Sequence, residues 1–118
     1  MLVFPPNTKI YLCTVPTDMR KSFQTLASIV VNNMNLEPAD GSMYVFWNKA
    51  KNKLKILQWV NKGFWLHYNR LAEGTFFVPN ANNNNIAIIS SREMYRLLAG
   101  IDLTNITSLD KHKNKKLL

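Results

Sequence analysis

One cysteine, Cys13, stands in the whole chain, so no disulfide can close within it. That fits a reducing compartment. The two histidines, His67 and His112, form neither a Cys-x-x-Cys nor a His-Glu-x-x-His arrangement with it, and no structural zinc or other metal site is expected. A cysteine on an apolar stretch reads as a small buried hydrophobe rather than a nucleophile. Glycines are few and scattered, at 41, 63, 74 and 100, and none builds a phosphate-cradling loop, which argues against a kinase, an ATPase or a dinucleotide enzyme. No apolar run approaches the roughly 20 residues that span a bilayer. The first four residues are apolar, but Pro5, Pro6 and Asn7 follow, without the basic start and long apolar core of a signal peptide. The expectation is a cytoplasmic protein with no membrane partner, no cofactor and no small-molecule substrate.

Acids are also scarce. Seven Asp and Glu face fifteen Lys and Arg, a formal net charge of +8. Four of the cations, Lys111, Lys113, Lys115 and Lys116, lie in the last eight residues, which leaves eleven against seven in the body. From Ser42 to Val78 six basic residues accompany one acid, Glu73. The length of 118 residues allows one compact domain, placed over 1–110, followed by a basic tail over 111–118 expected to be disordered. With 47% hydrophobic residues the body has material for a core.

The apolar spacing changes character along the chain. KIYLC (9–13) reads as a short strand. After Pro16, Thr17 is placed to cap a helix with Asp18 in its first turn, and Met19, Phe23, Leu26, Ala27, Val30 and Met34 recur at helical spacing over about 18–33. MYVFW (43–47), aromatic and β-branched, KLKILQWV (53–60) and FWLHYNRL (64–71) then read as three adjacent antiparallel strands, with Gly63 offered to the second turn for a positive φ. Phe76–Val78 adds a candidate short fourth strand, and Ile86–Ile89 another. A polar loop, NANNNN (80–85), separates them. Ser90 and Glu93 have capping-box spacing, Met94, Leu97 and Leu98 give a short helix its apolar face, and Gly100 is placed to end it. The fold class is therefore α+β: an antiparallel β-meander of about four or five strands, an N-terminal helix packed on it and a short C-terminal helix.

Period-two spacing puts Lys53, Lys55, Leu57 and Trp59 on one face of their strand and Leu54, Ile56, Gln58 and Val60 on the other. Lys49 and Lys51 precede this strand; Lys62 and Arg70 bound the next. Lysines among aromatics read as a phosphate-binding surface with rings for bases, or as a solvated sheet face over an aromatic core. The acids Asp18, Asp40, Glu73, Glu93 and Asp102 raise the question of a metal-dependent nuclease, although most have a local capping or turn role.

With these residues in view, the sequence resembles the small accessory protein encoded by the second open reading frame of insertion sequence 66 family elements. The resemblance runs over about residues 8–103. It is carried by Thr17-Asp18-Met19-Arg20-Lys21-Ser22-Phe23, Leu26-Ala27, Gly41, Val45-Phe46, Lys53-Leu54-Lys55-Ile56-Leu57, Gly63-Phe64-Trp65-Leu66, Tyr68, Arg70-Leu71, Gly74, Phe76 and Leu97-Leu98-Ala99-Gly100-Ile101-Asp102. Where the family pattern has more arginine and glycine about the hairpin, this chain has Asn48, Lys49 and Lys51. The resemblance implies a non-catalytic role in transposition beside a separate, larger transposase. The residues offered for binding DNA, at element ends or target, or a protein partner are Arg20, Lys21, Lys49, Lys51, Lys53, Lys55, Lys62 and Arg70. Thr17, Asp18, Gly63, Trp65, Gly74 and Gly100 are offered as the structural signature. A scaffold that binds the transposase without touching DNA is the alternative.

Overall fold

A computed structural model describes residues 7–78 and 85–100. In chain order the elements are β1 (Ile10–Cys13), α1 (Phe23–Met34), β2 (Met43–Trp47), β3 (Lys53–Val60), β4 (Gly63–Arg70), β5 (Ile86–Ile89) and α2 (Ser91–Leu98). The strands form one sheet in the order β4-β3-β2-β1-β5. The expected α+β class and the β2–β3–β4 meander are present. One pair departs from the antiparallel pattern: β1 runs parallel to β2, with Ile10 opposite Met43 and Leu12 opposite Val45. The reason is α1, which lies between them in sequence and supplies the long crossover a parallel pair requires. β5 returns antiparallel on the other side of β1.

Strands β1 and β2 are buried along their whole length, which explains their unbroken apolar sequences. Alternation sends their side chains to two cores. Tyr11, Cys13, Tyr44, Phe46 and Leu57 meet Leu26, Val30 and Met34 of α1 on one face. On the other face, Ile10, Leu12, Met43, Val45, Trp47, Leu54 and Ile56 meet Met94 and Leu97 of α2, with Phe76 and Val78. Each large side chain so covered contributes about 1.5–3 kcal/mol.

Several local expectations are corrected. The helix begins at Phe23, not near Asp18: Ser22 is the extended N-cap, and its hydroxyl accepts from the Thr25 N–H. Thr17 and Asp18 sit in a turn ahead of the helix, because the Asp18 carboxylate takes the Arg20 N–H at 2.9 Å and holds the chain out of helical geometry. Asn35, at φ 55, ends the helix in the left-handed region. The β3–β4 turn puts Asn61 and Lys62, not Gly63, at positive φ, the requirement of a two-residue primed turn. Phe76–Val78 is not a strand; Phe76 donates its N–H to the Lys51 carbonyl at 2.6 Å, and Phe76 and Val78 plug the second core. The Ser90–Glu93 capping box is present in both directions. Residues 80–84 of the asparagine-rich loop, Asp102 and the 111–118 tail lie outside the described residues.

Candidate nucleic-acid interface

The β2–β3 hairpin turns through Asn48–Asn52. Asn48 Oδ1 accepts from the backbone N–H groups of Asn52 and Lys53 at 3.0 and 2.9 Å, and its amide donates to Asn52 Oδ1 at 2.7 Å. This bracket fixes a turn in which Lys51 adopts φ 59, costly for a lysine unless its surroundings hold it. The Lys51 ammonium lies 5.9 Å from the centre of the Trp47 ring, and Lys49 is exposed.

The Thr17–Lys21 segment folds against the same end of the sheet. Thr17 donates its N–H to the Trp47 carbonyl at 2.8 Å. At the other end of the segment, Lys55 Nζ donates to the Lys21 carbonyl at 3.1 Å. Between these ties Asp18 grips Arg20: Nε reaches Oδ1 at 3.1 Å, Nη2 reaches Oδ2 at 2.7 Å, and the Arg20 N–H reaches Oδ1. The guanidinium holds the Asp18 carboxyl well below the usual carboxylate range, chiefly through these hydrogen bonds. The Arg20 side chain is nevertheless 91% exposed.

Between the segment and the hairpin lies an open groove of about 530 Å³, lined by residues that include Asp18, Met19, Arg20, Asn48, Lys49 and Lys53. Beside it on the α1 face, Lys53 stands directly opposite Arg70, and Lys55 opposite Tyr68, with the Lys55 ammonium 5.8 Å from the Tyr68 ring. Of the residues offered for binding, the fold thus brings Arg20, Lys49 and Lys53 to one groove. It sets Lys21, Lys55 and Arg70 along the adjoining edge and Lys51 at the hairpin tip. Lys62 is not among them: it occupies the turn at the far end of β3, roughly 25 Å of strand away. Trp65 lies on the opposite face of the sheet, 59% exposed and stacked on His67 at 6.1 Å. Gly74 and Gly100 take positive φ, and Gly100 donates its N–H to the Leu97 carbonyl as α2 ends.

Three of the acids, Asp18, Asp40 and Glu93, have local partners. Asp40 accepts from the Ser42 N–H and the Tyr44 hydroxyl, and Glu93 serves the α2 cap. Among the described residues no group of three or more His, Cys, Asp and Glu is placed to hold a metal, and no helix is long and apolar enough to cross a membrane. Burial pushes the Cys13 thiol pKa up, and its Sγ donates to the Val15 carbonyl, so it is held as the un-ionised thiol. Sequence reasoning missed Asn48 as the bracket that aims the lysines; its signal was the Asn-x-x-x-Asn spacing about Lys49 and Lys51.

A family model described as IS66 Orf2 like protein matches residues 8–108. The chain belongs to the IS66 Orf2-like family. It is therefore an accessory protein of bacterial insertion-sequence transposition, and the family is non-catalytic. Among its relatives, this IS66 Orf2-like chain is 36% identical over 102 residues to Uncharacterized protein y4hO of Sinorhizobium fredii (strain NBRC 101917 / NGR234), covering 86% of this chain and 88% of that one. It is 28% identical over 98 residues to Uncharacterized protein y4jC of the same organism, covering 83% of each. No solved structure matches.

Proposed function

We propose that this IS66 Orf2-like protein assists the element's large transposase by holding DNA through its phosphates, without reading sequence. The observation that carries this is the groove itself: a family-signature arginine, Arg20, and two hairpin lysines, Lys49 and Lys53, converge from separate segments on one side of the sheet. Lys55 and Arg70 continue the cationic edge on that face. Lysines on strands and turns act as point charges, suited to phosphate and unsuited to telling bases apart. Element specificity then belongs to the transposase or to the joint complex. The isolated protein binds DNA weakly, at roughly micromolar to a hundred micromolar, with an affinity that falls steeply with salt. The four lysines over 111–118 add further charge for phosphate. The test is a salt titration of DNA affinity for the full chain, a chain lacking 111–118, and one with Lys53 and Lys55 neutralised. Both changes lower affinity and slope. Equal slopes in all three would refute the phosphate reading.

One observation favours the protein-scaffold reading. β4 is an edge strand of eight residues that exposes Trp65 and Tyr68. Open edges of this length accept an added strand. Capture of the transposase by a Trp65→Ala variant as efficiently as by the wild type would remove this reading.

A further inference from the structure

Asp18 is the one acid among the described residues lining a groove otherwise furnished with Arg20, Lys49 and Lys53. For a surface that meets phosphate, simple charge counting makes it a defect. Its geometry says otherwise. The carboxylate takes the Nε–H and one Nη2–H of Arg20, together with the Arg20 backbone N–H. A guanidinium has five N–H donors, so its outer edge, with Nη1 and the second Nη2–H, stays available. The loop that carries the pair is tied at Thr17 to the β2 carbonyl of Trp47 and at Lys21 to Lys55 on β3. Arg20 is thus a long exposed side chain whose direction is fixed relative to the sheet. The residual repulsion between an exposed carboxylate and a phosphate is largely screened by water and salt. An arginine already ordered loses less freedom when it binds.

We propose that Asp18 is a positioning residue that pre-sets the Arg20 fork to take a DNA backbone phosphate across the groove from Lys49 and Lys53. This rests on the phosphate reading above. It makes a prediction opposite to that of charge counting: Asp18→Asn, which raises the net charge by one, weakens DNA binding. Asparagine keeps an oxygen for the Arg20 N–H and so preserves the turn, but loses the two-oxygen grip on the guanidinium.

The experiment measures affinity for a short duplex of arbitrary sequence across a salt series, with a thermal melt of each protein. Asp18→Asn is expected to bind about three- to tenfold more weakly, the range of the net contribution of one solvent-exposed hydrogen bond. The same substitution made in an Arg20→Ala background has no further effect. Arg20→Lys, which keeps the charge but not the fork, falls close to Arg20→Ala. Tighter binding by Asp18→Asn, or an equal loss in the Arg20→Ala background, overturns the positioning role. Should Asp18→Asn melt at the assay temperature, Arg20→Lys decides alone, and wild-type affinity in that variant overturns the proposal. Lys49→Gln with Lys53→Gln separates the two levels. No loss there refutes phosphate binding itself, whereas a loss there with tighter Asp18→Asn refutes only the role of Asp18.

Discussion

Replacing Trp47 by phenylalanine tests how the signature loop and the core are joined. Trp47 is 5% exposed at the end of β2, and its indole N–H donates to the Cys13 carbonyl at the end of the neighbouring strand β1. Phenylalanine keeps a ring in the core but removes the donor. It leaves a buried carbonyl without that partner, at about 1–3 kcal/mol. The smaller ring also leaves a void beside its cross-strand neighbour Leu54, and the Lys51 interaction with the ring weakens. Together these come to roughly 2–3 kcal/mol, a drop in Tm of about 8–12 °C for a domain of this size. The assay is thermal unfolding followed by circular dichroism. The same variant carries a second expectation. The loop is held by the backbone carbonyl of Trp47, not its side chain, so DNA affinity well below the transition stays at the wild-type level. A Tm within about 2 °C of wild type would refute the argument that the indole bond joins β1 to β2.

Ser22→Ala lowers stability by about 0.5–1 kcal/mol through loss of the α1 cap, whereas Thr17→Ala leaves helix capping intact; urea unfolding distinguishes them, and equal losses would restore the cap to Thr17. Cys13, buried with its thiol pKa pushed up, reacts with an alkylating reagent at neutral pH only as fast as the protein opens; prompt labelling of the native protein would contradict this. The Asp18 carboxyl has a depressed folded pKa, so its contribution is complete above about pH 4, the unfolded value, and is lost as pH falls further. Native-state titration by NMR should therefore show no Asp18 step between about pH 4 and 8.

The strands were legible because their side chains alternate. Lys53 and Lys55 fall on one face of β3 and Leu54 and Ile56 on the other, as period-two spacing requires. The fully buried β1 and β2 show no alternation, and nothing local in KIYLC says that it inserts between β2 and β5. That placement is a matter of how α1 crosses the sheet. The start of α1 was misplaced because Thr-Asp is a good helix opening in isolation. Here the Asp18 carboxylate is taken by Arg20, and Ser22 inherits the cap. The interface, by contrast, depends on tertiary contacts. Arg20 and Lys53 are 33 positions apart and meet only because Thr17 docks on the end of β2. Lys62 looked equivalent to its neighbours in sequence, yet a strand length separates it from them.

The proposed function requires DNA to be held at one end of the sheet. Its most direct test compares the salt dependence of DNA affinity in the wild type, a Lys53→Gln/Arg70→Gln variant and a Lys62→Gln variant. Lys53 and Arg70 stand opposite each other at the groove end, and Lys62 caps the other end of the same hairpin. Each phosphate that the protein no longer neutralises lowers the slope of log affinity against log salt by about 0.9. The double variant should lose the equivalent of about two phosphates from the slope, and Lys62→Gln should leave it unchanged. Equal slopes in all three proteins, or a loss confined to Lys62→Gln, would contradict the proposed function.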